Sequence, residues 1–431
     1  MSEKKVVLEE IVRIEGHLNV TLYGDETEIR KVTAEALEGT RILERVILGK
    51  NYMEIPDIAS RMCGVCNVIH KLTATQAIEN ALGLEITQEA WSLRKLMVIG
   101  GHIQSHMLHL FYFVLPDLMG KPSLLHIADT HGELVKKIVK AKKHANRIIE
   151  ITGGSRVHPV ALVPGGISKP ITKRDLENLR YELHELKKTI EEPIRFLLEI
   201  GNPEFENENI YVALTNQDTI PLLQGNISIS NNSVYQAEKY SKIFTKIREN
   251  YSTAPHFKLS AKNVSYMVGA LARININYTK LLPAAKTIST EYNIKLPNNN
   301  PFTNNTAQAL EILHYIEESE HIVDDLEEKK LIRTWTRPKI QAGDGIAVTE
   351  APRGLLIHHY RLNSEGKVVW ANIITPTAQN LKNVEETCRN YGNKLLSEGA
   401  NIELIEKEIE KLVRAYDPCI SCSARFYKET D

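Results

Sequence analysis

The chain has little of what would direct it to a nucleic acid or a membrane. Fifty-three Lys and Arg stand against 54 Asp and Glu, a net charge of −1 over 431 residues, so there is no basic field to hold a phosphate backbone. No run approaches the ~18 apolar residues that a membrane span needs. The longest candidate, Met107 to Met119, is interrupted by His109, Pro116 and Asp117. The start, Met1 to Glu10, is polar and lacks the apolar stretch of a signal peptide. No Gly-rich dinucleotide fingerprint follows an expected strand, which excludes a nicotinamide cofactor bound through that motif. Cysteine is scarce as well, with five residues. The expectation is a cytoplasmic protein in a reducing compartment, where paired cysteines bind metal more often than they form disulfides.

Four of those five cysteines form two pairs near opposite ends, Cys63-Gly64-Val65-Cys66 and Cys419-Ile420-Ser421-Cys422. A C-x-x-C segment lets two thiolates reach one metal across a short turn, and Gly64 eases such a turn. Two copies brought together make a four-thiolate site, whose spacing alone suits structural zinc or an iron–sulfur cluster. Three features point elsewhere. The pairs are far apart, whereas structural zinc staples a small local module. A charged residue, Arg61 or Asp417, stands two positions before each pair. Two further motifs exist that a zinc staple does not require, Arg13-Ile14-Glu15-Gly16-His17 and Glu350-Ala351-Pro352-Arg353-Gly354. Cys388 is left over in a helical pattern and reads as a small buried apolar residue.

Periodicity predicts an α+β chain, predominantly helical with a few small sheets, in one cooperative domain over residues 1–431. Leu18, Val20 and Leu22 alternate with polar residues, Gly24-Asp25 marks a turn, and a second strand begins near Ile29. A helix is expected from about Thr87, its N-cap, to Val114. Another follows Thr172, with Leu176, Leu179, Leu183, Leu186 and Ile190 on one face, and is broken at Pro193. Asn202 to Asn232 reads as irregular or as short strands. The Asn-rich loop Pro297–Asn305 leads into a helix through about Glu328. Leu355–Tyr360 and Val368–Ile374 are expected to pair about a turn at Ser364-Glu365-Gly366. A last helix after Asn401 delivers the second cysteine pair. His102, His106 and His109 share one helical stripe, read as a polar face toward the active-site wall rather than as a second metal site.

With both cysteine pairs in these settings, the chain resembles the large subunit of nickel–iron hydrogenases over essentially its whole length. The resemblance implies that family's fold, a core of long helices with small peripheral sheets. It implies nickel bound by four thiolates, Cys63 and Cys419 as terminal ligands and Cys66 and Cys422 bridging to an iron that carries carbon monoxide and cyanide. Splitting dihydrogen heterolytically needs a soft, electron-rich metal pair and a base beside it, and thiolates supply the softness. By the same resemblance Glu15 is the first proton relay. Arg353, after Pro352, overhangs the open metal position; a guanidinium stays protonated, so a hydrogen-bonding and electrostatic role fits it better than that of a base. Pro376 and Thr377 match the segment around a cyanide ligand, and His70 matches a histidine that hydrogen-bonds a bridging sulfur. Asp417 is expected to pair with Arg353 or to cap the site. Glu44 matches a ligand of a buried magnesium or similar ion.

Two positions depart from the family pattern. Ser105 stands where many members have an aspartate, and Arg425 where many have a metal-binding histidine that ends the mature chain. Arginine offers no lone pair to a metal. Residues 426–431 match a C-terminal extension that a dedicated endopeptidase removes during maturation. One cysteine beyond the four leaves no set for an iron–sulfur cluster in this chain. The resemblance therefore implies an iron–sulfur small subunit, further electron-transfer subunits such as a flavin-containing diaphorase, and maturation proteins that build the iron group. Two other readings stay open at this point: the large subunit of a membrane-bound energy-converting hydrogenase, and a zinc-stapled scaffold subunit without catalysis.

Overall fold

The computed structural model describes residues 4–37, 43–328 and 334–424. Three antiparallel strands open the chain, β1 (Lys4–Leu8), β2 (Leu18–Gly24) and β3 (Ile29–Ala36), in the order β1-β2-β3. Leu18, Val20 and Leu22 are all buried, as their period-2 spacing predicts. The expected pair of strands is joined by a third, β1, which lies on β2 with Leu8 opposite Val20. A second antiparallel sheet comprises β4 (Gly343–Ala351), β5 (Gly354–Leu362) and β6 (Val368–Ile374). Its β5 and β6 match the expected strands, and β4 adds a third on the other edge of β5. Within the stretch expected to be irregular or short strands lie Val212–Thr215 and Asn226–Ile229.

The long helices are α1 (Asn67–Leu82), α2 (Gln88–Met107), α3 (Leu124–Gly153), α4 (Lys173–Ile200), α5 (Thr303–Glu328), α6 (Pro376–Ser397) and α7 (Ile402–Ala415). Thr87 caps α2, its hydroxyl accepting from the Ala90 amide at 3.2 Å. The next seven residues, Leu108–Val114, are wound as a wider π-helix, and the chain stays helical to Leu118. This corrects the expected end at Val114. Thr172 and Asp175 form a reciprocal capping box at the start of α4.

That helix also corrects the expectation of a break at Pro193, since α4 runs on to Ile200. A proline inside a helix removes one backbone bond and clashes with the preceding turn. Here Ile190, Ile194 and Leu197 on either side of it are buried, and α4 packs along both α3 and α5. The apolar stripe thus continues across the proline and holds the helix together. Helices α1 and α3 were not expected at all. Of α1, every residue from Asn67 to Leu82 except Asn80 is buried, so it carries no amphipathic period to read.

One hydrophobic cluster runs from Leu8 in β1 through α1 to α7 and includes all five cysteines. It joins the chain's two ends: Glu15 pairs as an isolated bridge with Cys419, the Ile420 amide donating to Glu15 O at 2.9 Å. No helix of the described residues is long and apolar enough to cross a membrane.

Candidate metal centre

Each cysteine is held by an element that local sequence specifies. Cys66 immediately precedes α1. Helix α7, capped by Asn401 and buried along Ile405, Ile409, Leu412 and Val413, ends at Ala415 and aims the second pair inward. Asp417 then takes a left-handed backbone (φ 51°), a conformation that aspartate tolerates better than most residues. The turn lets Pro418 and Cys419 reverse toward β2 and α1.

The four sulfurs converge. Cys63 Sγ lies 3.4 Å from Cys419 Sγ, Cys66 Sγ lies 3.8 Å from Cys419 Sγ and 3.5 Å from Cys422 Sγ, and the Cys419 and Cys422 sulfurs are 2.9 Å apart. All four are buried and lie within 4.8 Å of one another. Hydrogen bonds from the Cys419, Cys422 and Cys66 thiols hold Cys63 well below the ordinary thiol range. Burial pushes Cys419 and Cys422 well above it. Four sulfurs this close cannot all ionise without a cation between them, and four convergent soft donors are what a thiophilic metal takes. The donor set fits a thiophilic metal such as nickel.

Arg353 lies on one flank. It occupies the two-residue turn Pro352-Arg353 between β4 and β5, where Ala351 pairs with Gly354. Gly354 has φ 124°, and a Cβ there would meet Val268 at 2.5 Å, so only glycine allows this turn. Arg353 donates to Asp417 Oδ1 from Nε at 3.1 Å and from Nη2 at 2.8 Å, and from Nε to the Asp417 carbonyl at 2.7 Å. Its Nη1 is 3.9 Å from Cys66 Sγ and 3.4 Å from Ser105 Oγ. Burial works against its charge, but Asp417 and the sulfurs outweigh that, and the guanidinium titrates well above its usual range. Of the two roles expected for Asp417, the pairing with Arg353 is the one seen. Gln308 donates to its other oxygen at 3.1 Å.

Half-buried Glu15 lies on another flank. Its Oε2 is 3.1 Å from Cys419 Sγ and accepts from the Ser421 amide at 3.1 Å, while Oε1 accepts from the Ser421 hydroxyl. A cavity of only about 10 Å³ is lined by Cys66, Cys419, Cys422, His70, Pro352, Arg353, Pro376 and Thr377, with Ala351. Every residue singled out from the sequence for the iron side thus faces one space. Pro376 sits in the first turn of α6, and the Thr377 hydroxyl accepts from the Cys419 amide at 2.9 Å. His70 Nδ1 is 3.2 Å from His358 Nε2, and His358 Nδ1 bonds Tyr360.

Glu44 lies apart from this cluster. It accepts from the Ile373 amide at 2.9 Å and belongs to no group of three or more metal-ligating side chains among the described residues. Arg425 and residues 426–431 lie outside the described residues. Cys388 is fully buried, and burial raises its thiol far above the ordinary range.

Sequence reasoning missed Gln308, Arg273, Ser421, His358 and Tyr360. Arg273 is fully buried, grips Glu311 with two bonds (2.6 and 2.8 Å), and donates to Glu350 at 3.0 Å. It also donates to the carbonyls of Ala351 and Pro352 at 2.8 and 2.9 Å, so it braces the turn that presents Arg353. No motif marks it; a lone arginine in Leu271-Ala272-Arg273 looks like any surface arginine.

The model of the family described as nickel-dependent hydrogenase matches residues 41–131 and 224–425. Sulfhydrogenase 2 subunit alpha of Pyrococcus furiosus is 33% identical over 98% of this chain and 99% of its own length. The NAD-reducing hydrogenase HoxS subunit beta of Cupriavidus necator is 26% identical over 97% of this chain and 94% of its own. A crystal structure of an NAD+-reducing [NiFe]-hydrogenase in the H2-reduced state superposes with a TM-score of 0.86 at 26% identity, covering 98% of this chain and 99% of that one. The chain belongs to the nickel-dependent hydrogenase family and is the large, catalytic subunit of a nickel–iron hydrogenase.

Proposed function

We propose that Cys63, Cys66, Cys419 and Cys422 hold nickel together with an iron bearing carbon monoxide and cyanide, with Cys63 and Cys419 terminal and Cys66 and Cys422 bridging. The observation that carries this is the convergence of four buried sulfurs, three of which line a cavity with Pro352, Arg353, Pro376 and Thr377. When bound, the metal pair supplies the soft, electron-rich centre at which dihydrogen is cleaved reversibly into protons and electrons. Everything else in the step is done by side chains of this chain.

Glu15 is the proton acceptor beside Cys419: one carboxylate oxygen is within reach of the sulfur, and Ser421 fixes the carboxylate through its amide and hydroxyl. Arg353 stays charged, held by Asp417, and its preorganised N–H groups stabilise negative charge over the cavity. His70, backed by His358 and Tyr360, tunes the sulfur side by hydrogen bonding. Pro352, Pro376 and Thr377 line the pocket in which the iron's small ligands would sit.

Electrons leave through another subunit, since one cysteine beyond the four makes no cluster here. An iron–sulfur small subunit and further electron-transfer subunits, such as a flavin-containing diaphorase, are the partners this reading requires. Maturation proteins supply the iron's diatomic ligands, and an endopeptidase trims residues 426–431. Glu44 contributes to a magnesium or similar ion. We read residues 1–431 as a single domain working in the cytoplasm, where thiols stay reduced.

An infrared spectrum of the complex purified without oxygen tests the centre. Carbon monoxide and cyanide stretches that shift under hydrogen are the expected result. Their absence in a fully matured sample that holds zinc in place of nickel and iron would overturn the assignment.

A further inference from the structure

Two stretches rich in asparagine and serine take no part in the metal centre: Asn202 to Asn232, and the loop Pro297–Asn305. In the fold they meet. With the helix Ala270–Asn277 they wall a cavity of about 430 Å³, inside the range of roughly 300–1,000 Å³ typical of small-molecule sites. Several of these asparagines simply hold the backbone. Asn298 Oδ1 accepts from the Asn300 amide at 2.8 Å and from the Thr303 hydroxyl at 3.1 Å, and Asn300 Nδ2 donates to the Pro203 carbonyl at 2.7 Å. Asn275 exchanges two bonds with the Asn298 backbone, at 2.8 and 2.9 Å. A different set of polar groups faces the cavity with nothing to bind.

Asn209 Oδ1 accepts from the side-chain amides of Asn207 and Asn383, both at 3.0 Å, which fixes the way its own amide points. Its Nδ2 is thereby turned the other way. This buried donor lies beside the Tyr211 hydroxyl, which donates to the Asn298 carbonyl at 3.1 Å, and it forms no hydrogen bond of normal geometry. Ser230 Oγ accepts from the Tyr211 amide at 3.1 Å and keeps its own proton to give. The Ser228 hydroxyl, the Asn299 amide and the Tyr278 phenol also line the cavity, and none has a partner among the described residues. No Lys, Arg, His, Asp or Glu is among the eleven lining residues. Charged residues make up 25% of the chain, so composition alone does not supply so neutral a wall.

We propose that this cavity binds a neutral sugar. An ion would have to shed its water there with no opposite charge to replace it. An apolar ligand would seal the Asn209 donor and the Ser228 hydroxyl away from any partner, and each buried polar group left so is costly. A sugar avoids both penalties. Its hydroxyls both give and accept hydrogen bonds, as do the amides and serines that face them. Its C–H face is apolar and suits the Tyr278 ring, which is 40% exposed, and the aliphatic surface of Ile229, Ile276 and Pro297. Binding makes and breaks no covalent bond, and it does not depend on which metal the four cysteines hold.

Saturation-transfer NMR on the complete complex tests this, with glucose, galactose and maltose as probes, glucuronate as the charged counterpart and glycerol as the open-chain one. Millimolar concentrations keep the reading clear of the general stabilisation that concentrated sugars give any protein. The expected result is saturable transfer to at least one sugar, with glucuronate bound about tenfold more weakly or worse. Tyr278→Ala and Asn299→Ala each remove a side chain that makes no hydrogen bond within the fold, so both variants should fold and keep wild-type hydrogen uptake. Each should weaken sugar binding by about two- to tenfold. No saturable transfer to any of the three sugars would overturn the proposal. Glucuronate binding as tightly as glucose would overturn the neutral-ligand argument, and glycerol doing so would overturn recognition of a sugar ring. Wild-type affinity in both variants would put the sugar elsewhere and remove this cavity as its site.

Discussion

Arg353 and Asp417, 64 residues apart in sequence, form a fully buried pair in which one carboxylate oxygen accepts from both Nε and Nη2. Neither is stable alone in that setting, because removing one partner strands the other's charge in a low-dielectric interior. Asp417→Asn should therefore destabilise the protein by about 3–5 kcal/mol. Arg353→Lys keeps the charge but loses the two-pronged grip, and hydrogen oxidation should fall on the order of 10²-fold or more. Denaturant midpoints and hydrogen-uptake rates measure the two effects. An Asn variant as stable as the wild type would show that the pair contributes nothing net.

Glu15→Gln keeps the side chain's shape and its bonds to Ser421 but cannot accept a proton. Turnover should drop by about 10²–10⁴ while nickel and iron content stay at wild-type levels. Metal analysis beside the activity assay separates this from failed maturation, and full activity in the variant would remove Glu15 from the proton path.

Arg273 links Glu311, Glu350 and two carbonyls of the Arg353 turn. A lysine there can satisfy fewer of these acceptors and leaves buried oxygens unpartnered, so Arg273→Lys should lower stability by about 3–5 kcal/mol. Because Arg353 then loses its brace, activity should fall even at temperatures where the variant is folded. Circular dichroism melts with parallel activity assays test both halves.

Glu350 shares that arginine with Glu311 and is the carboxylate that loses. Burial raises its pKa from 4.5 to about 7. The folded state thus holds a proton that the unfolded chain releases, so this group's contribution is fully present below about pH 4.5 and is lost as pH rises to about 7. Glu350→Gln removes the titration. Between those limits the wild type should lose stability relative to the variant as pH rises, measured by urea midpoints, and parallel curves would contradict it.

By itself the sequence determined the four soft sulfur donors and the motifs that surround them. Two C-x-x-C pairs, the Arg13–His17 motif and Pro352-Arg353-Gly354 are local patterns, and each residue expected on the iron side lines one cavity. It also determined the amphipathic elements, β2, β3, α4 and α7, because a half-buried strand or helix writes its periodicity into its side chains. Tertiary structure alone decided the rest. Helix α1, buried on nearly every side, has no period to read, and the continuation of α4 through Pro193 depends on neighbours that no local window contains. The meeting of Cys63 with Cys419 across 356 residues could be inferred only from the resemblance to the family. The grip of Arg273 had no signature at all. A buried arginine or histidine is spelled the same as an exposed one, and only packing sets the dielectric and the partners that give it a role.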